Sequence, residues 1–213
     1  MINKVNDFNI TRSPFFRRVF FFVWFLIVML GIYYTLRGIN THFLPWDAPR
    51  GLARSLHIIT GAIALIIGPI QFSQNVRRKW PKYHRYSGYT YIACIFLSTP
   101  LAILMAFRGF SPESMPAFFI WTTMWFLFTA AALYAALIKQ FVAHKHFMIR
   151  SYVLTNGFVF TRIDEFLPFP LPEGADIHRE PMVIMVVWIV PLLITEIFIN
   201  WLPSLKKRKK IKK

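Results

Sequence analysis

Six apolar runs, each about 20 residues long and separated by short polar connections, occupy most of this chain. A run of that length crosses a bilayer as one helix, because only a helix satisfies its own backbone hydrogen bonds in lipid. The reading is therefore an all-α, polytopic membrane helical bundle of about six transmembrane helices, a single domain over residues 1–213 with both termini cytoplasmic. The expected spans are 19–36, 56–72, 84–107, 117–142, 151–167 and 182–202, followed by a polybasic tail over 203–213. A composition that is 56% hydrophobic and 18% aromatic is too apolar for a water-soluble surface. The spans leave no room for a soluble catalytic domain, so any chemistry sits in or beside the bundle.

The connections carry the usual punctuation. No small-residue cleavage site follows Val19 to Leu36, which reads as an uncleaved first span. Arg37 to Arg54 contains Gly38, Pro45 and Pro49 and reads as a loop. Gly68-Pro69 and Pro100 fall inside spans, where proline removes a helix hydrogen bond and predicts a kink. Ser73 to Lys82 reads as a basic turn, Arg108 to Pro116 as a short loop and Ala143 to Arg150 as a brief polar connection. The fifth run is interrupted by Asn156, Arg162, Asp164 and Glu165, so its polar groups are expected to face the bundle.

A net charge of +16 would suggest a nucleic-acid partner in a soluble protein, but no soluble basic fold is available here and none is expected. Topology explains the charge instead. Alternate connections collect the cations: Lys4 to Arg18, then Arg77 to Arg85, then Lys139, Lys145 and Arg150, then Lys206 to Lys213. Most of the nine acids fall in the other connections, which places the basic side in the cytoplasm. The bilayer is the first expected partner, and the tail has the charge to attract anionic headgroups. The one cysteine, Cys94, excludes an intrachain disulfide framework and any multi-cysteine metal site.

Two units repeat at the ends of neighbouring spans: His57 stands four residues before Gly61, and His84 four before Gly88. On a helix His57, Gly61, Ala64, Gly68 and Gln71 share one face, as do His84, Gly88, Tyr91, Ile95 and Ser98. Such a face serves either as a helix-packing seam or as a groove that admits a flat macrocycle edge with histidine as an axial ligand. His144 and His146 point about 200° apart on a helix, so at most one joins His84. His146, Arg150 and Glu196 form a candidate polar site at the inner face, in which Arg150 is the expected partner of Glu196. That site is either a salt bridge locking two spans or a proton or quinone-headgroup site. At the outer face His57 has His42 and His178 as candidate partners, while Arg162 is expected to pair with Asp164 or Glu165.

The residue inventory excludes several enzymes. One His-Lys-His does not supply the repeated boxes of a di-iron desaturase, and the chain has no HExxH, no Gly-rich phosphate loop and no Gly-x-Ser-x-Gly elbow. Taken together, His57-x3-Gly61, Gly68-Pro69-Ile70-Gln71-Phe72, His84-Arg85-x2-Gly88-Tyr89-x-Tyr91, His144-x-His146-x-Met148-Ile149-Arg150-Ser151-Tyr152 and Arg162 form an ordered set. This set resembles the bacterial membrane family catalogued as domain of unknown function 2306, over about Leu52 to Leu167. The resemblance implies a multi-helix membrane protein and no assigned activity. By weaker analogy the histidine placement is similar to that of six-helix b-type cytochromes, although clear histidine partners for both faces are missing. The functional expectation is haem b, with His84 and either His144 or His146 on the iron at the inner face and His57 at the outer face. Its role would be transmembrane or quinone-linked electron transfer with a quinone or a membrane redox partner. The alternative is a non-redox membrane protein, a small transporter or assembly partner, in which the His/Arg/Glu cluster is structural or proton-linked.

Overall fold

The computed structural model describes residues 49–163 and 179–205, together with 22, 25, 26, 28–33 and 36 of the first run. Every element among them is helical: α1 (Pro49–Phe72), α2 (Gln74–Lys79), α3 (Pro81–Gly109), α4 (Met115–Leu137), α5 (Phe141–Thr155), α6 (Gly157–Ile163) and α7 (Arg179–Glu196). α7 continues through a π-helical turn, Ile197–Trp201, to Leu205. The protein is thus an all-α bundle, and α1, α3, α4 and α7 are each long and apolar enough to cross a membrane. Much of the first expected span lies outside the described residues, as do residues 164–167 of the fifth, the tail beyond Leu205, His42 and His178.

Several boundaries differ from the sequence reading. α1, described from Pro49 onward, takes in residues expected to be loop. The basic turn contains a short helix, α2, capped by Ser73, whose Oγ accepts from the Val76 N–H at 3.3 Å. α4 ends at Leu137 and not at Val142, and the chain reverses through Ile138, Lys139 and Gln140. Lys139 carries this turn with φ of 61°, a left-handed conformation that sequence alone does not mark in a lysine. Consequently Ala143 to Arg150 is not a connection: it is helical, and it runs on from there as α5. α5 and α6 meet at Asn156, and together they cover about 30 Å, roughly one bilayer thickness.

α1 and α3 run antiparallel and pack along the two small-residue faces. Gln71 Nε2 donates to Ser87 Oγ at 2.7 Å near one end, and His57 meets Ser98 near the other. Ala64, Tyr91, Ile95 and Ser98 are fully buried, so the packing seam is real along its centre. The neighbour required at Gly68 is the ring of Tyr152 in α5, which a Cβ would meet at 2.2 Å. α4 packs against α5 and α3, and α7 closes the bundle against α4, α5 and α6. A buried cluster of Tyr91, Ile95, Trp125, Met148, Leu154 and Trp188 joins α3, α4, α5 and α7.

Candidate functional site

The alternation of helix directions gathers the end of α1, all of α2, the start of α3, the α4–α5 turn, the start of α5 and the end of α7 at one end of the bundle. This is the basic end. His144 lies in the first turn of α5, and its Nδ1 is 2.8 Å from the Ala132 carbonyl in α4. A carbonyl only accepts, so Nδ1 carries the proton and Nε2 keeps its lone pair. The left-handed turn at Lys139 makes this bond, because it folds the start of α5 back beside the last turns of α4.

His84 sits in the first turn of α3, held by its main-chain N–H on the Trp80 carbonyl at 3.0 Å. Its Nδ1 is buried and has no hydrogen-bond partner among the described residues. Arg77 of α2 and His144 of α5 are its charged and titratable neighbours. His84 and His144 thus lie on different helices at the basic end, the first with a buried ring nitrogen unpartnered among the described residues and the second with its Nδ1–H on a main-chain carbonyl.

His146 goes elsewhere, as its angular offset from His144 requires. Its charged neighbours are Arg150, Lys145 and Glu196. The expected pair between Arg150 and Glu196 is present and bidentate: Nε donates to Oε1 at 2.5 Å and Nη2 to Oε2 at 2.9 Å. Asn200 Nδ2 adds a bond to Oε2 at 2.6 Å. The π-helical turn begins immediately after Glu196, and the Arg150 guanidinium lies 5.7 Å from the Phe147 ring centre. The pair ties α5 to α7, with the arginine side chain 12% and the glutamate 25% exposed.

At the opposite end, His57 Nδ1 stands 3.0 Å from the Ser98 carbonyl and 2.8 Å from its Oγ. This ring too has its proton on Nδ1. No second histidine joins it among the described residues; of Arg162 only the backbone is described. Nearby, Ser114 Oγ donates to Glu180 Oε2 at 2.8 Å, so a carboxylate marks this end.

Sequence reasoning missed a hydroxyl cluster in the bundle centre. Tyr91 OH lies 2.9 Å from both Ser151 Oγ and Thr155 Oγ1, and Ser151 Oγ lies 2.7 Å from Thr129 Oγ1. Thr129 donates onward to the Trp125 carbonyl and Thr155 to the Ser151 carbonyl, while Trp125 Nε1 donates to Thr155 Oγ1 at 3.0 Å. The hydroxyl protons are fewer than the contacts they serve, so the hydroxyls have more than one arrangement of donors. The available signal was spacing: Trp125 and Thr129, and Ser151 and Thr155, stand four apart on their helices.

Two ring nitrogens at the basic end are available as donors to a ligand. A histidine whose Nδ1–H is held by a main-chain carbonyl presents Nε2 as a donor, which is how metal-binding histidines are commonly oriented. His144 meets that condition, and His84 at the same end of the bundle has an unpartnered buried nitrogen. Among the described residues no group of three or more His, Cys, Asp and Glu converges. An apolar groove of about 340 Å³ between α3 and α4, lined by Phe96, Thr99, Pro100, Ile103, Thr123 and Phe126, holds none of these histidines.

Fold and site together define a multi-pass helical membrane protein with a histidine pair and an ion pair at its basic end. The chain belongs to the family described as predicted membrane protein (DUF2306), whose match covers residues 55–199. The match runs past Leu167 through α7, so Glu196 falls within it as well as the histidines. No curated protein and no solved structure matches the chain.

Proposed function

We propose that this protein is a membrane electron carrier that holds haem b at its basic end through His84 and His144. The reading is supported by the Nδ1–H bond from His144 to the Ala132 carbonyl, taken with the unpartnered buried nitrogen of His84 at the same end of the bundle. Of the two candidates in α5, His144 is preferred to His146, which is engaged electrostatically with Arg150 and Glu196. Bound haem b would supply a one-electron couple, passing electrons between a quinone and a membrane redox partner. The chain's own contributions are distinct. The Ala132 carbonyl keeps the His144 ring oriented. On this reading the protein sits in a bacterial cytoplasmic membrane with its basic end inward, and His57 is held ready as an outer donor by Ser98.

The second reading, a non-redox transporter or assembly partner, draws on the Arg150–Glu196 pair. That pair is fully engaged, with Asn200 on the same carboxylate oxygen as Arg150 Nη2, and a satisfied pair suits a lock between α5 and α7. Absorption spectra of the detergent-purified protein, oxidised and dithionite-reduced, separate the two. A Soret band and a reduced α band, lost in His84→Ala and His144→Ala but kept in His146→Ala, carry the first reading. A colourless protein from haem-replete cells removes it and leaves the second.

A further inference from the structure

The basic end presents a surface that the histidine site does not use. Arg77, Arg78 and Lys79 make up the last turn of α2, and Lys82 and Arg85 follow in the first turns of α3; all five are exposed. Lys139 in the α4–α5 turn and Lys145 in α5 are exposed at the same end. None of these cations has a carboxylate partner among the described residues, and no Asp or Glu occurs in the chain between Asp47 and Glu113 or between Glu113 and Asp164. Glu196, the carboxylate described at this end, is taken by Arg150 and Asn200.

Aromatic residues alternate with these cations. Trp80, Tyr83, Tyr86 and Tyr89 are between 50% and 70% exposed, from the α2–α3 junction through the first turns of α3. Tryptophan and tyrosine at the end of a spanning helix settle at headgroup depth, with their rings in the acyl boundary and their polar atoms outward. Below them Leu97, Leu104 and Phe107 continue the exposed apolar surface of α3 toward the other end. α2 itself has no buried residue, so it lies on the bundle and is not packed into it. Uncompensated cations at the depth of an aromatic belt are complementary to the phosphates of anionic lipid.

We infer that α2 and the first turns of α3 form a docking platform for anionic phospholipid headgroups, with the lipid's acyl chains along the exposed face of α3. The platform is distinct from the tail over 206–213 and is independent of any haem.

The test is native mass spectrometry of the full chain from nanodiscs of phosphatidylcholine mixed with phosphatidylglycerol. Retention of phosphatidylglycerol over phosphatidylcholine is expected, and it should fall as salt rises. Each cation near a headgroup contributes about fivefold to the affinity, so an Arg78→Gln, Lys79→Gln, Lys82→Gln variant should retain at least tenfold less phosphatidylglycerol. A second variant, with the lysines and arginine of 206–213 changed to glutamine, should retain as much as the parent. Equal retention of the two lipids by the parent overturns the proposal, as does loss confined to the tail variant. If the platform variant does not fold, the salt dependence in the tail variant decides: retention that persists and is salt-sensitive supports the platform, and retention that is absent or insensitive overturns it. Inorganic phosphate at matched concentration should not displace the lipid; if it does, the surface is a free-anion site and the lipid assignment fails.

Discussion

The phenol of Tyr152 donates to the main-chain carbonyl of Leu65 at 3.1 Å. Leu65 stands four residues before Pro69, so this is the carbonyl that the missing proline N–H leaves without a helical partner. The same ring lies over Gly68, where a Cβ would come within 2.2 Å of it. Gly68-Pro69 thus forms a socket: the glycine admits the ring and the proline frees the acceptor that fixes it. Tyr152→Phe leaves that carbonyl unpaired in an apolar setting and should cost about 1–3 kcal/mol of stability. Gly68→Ala should cost about 1–3 kcal/mol through overpacking. Unfolding in graded detergent measures both, and a neutral Gly68→Ala would mean that the ring does not occupy this position.

The Arg150–Glu196 pair should behave as a partly buried pair. Glu196→Ala leaves the guanidinium beside Phe147 without its anion, and a loss of about 1–3 kcal/mol is expected, below the value for a fully buried pair because both groups keep some exposure. The double variant Arg150→Met, Glu196→Leu should recover much of that loss. A double-mutant cycle of unfolding energies checks the coupling, and strict additivity would show that the two side chains do not interact.

The central hydroxyl cluster should tolerate single deletions better than its burial suggests. Because its contacts outnumber their hydroxyl protons, Thr129→Val removes an oxygen whose neighbours can reorient toward one another. A loss of about 0.6 kcal/mol is expected, the common value for hydrogen bonds between membrane helices. Trp125→Phe should also release a tertiary contact, since its indole N–H is a fixed donor to Thr155. A loss above about 2 kcal/mol in Thr129→Val would show that the cluster has one rigid arrangement.

The apolar runs and the alternation of charge were legible because bilayer thickness and the positive-inside rule act on stretches of many residues. The seam faces were legible from spacing, as Ala64, Tyr91, Ile95 and Ser98 show. Gly61 was not, since a Cβ there would meet nothing within 4 Å, and a small residue does not say whether a neighbour has come close. The end of α4 was hidden for a different reason. Leu137 to Val142 contains no glycine or proline, and the reversal rests on the left-handed backbone of Lys139. The hydroxyl cluster was hidden because serine and threonine in a helix commonly bond their own preceding turn, so their presence does not reveal cross-helix bonds.

The turn at Ile138 to Gln140 works as a ruler. Connections between helices are usually where chains accept extra residues, since nothing packed depends on their length. Here the distance from Ala132 to His144 is set by three residues and one positive φ, and the imidazole bond to the Ala132 carbonyl exists only at that length. One inserted residue would turn the start of α5 by about 100° relative to α4, or force the added residue out as a bulge. Chain length in this short turn is therefore as much a determinant of the basic-end site as the identity of the histidine it holds.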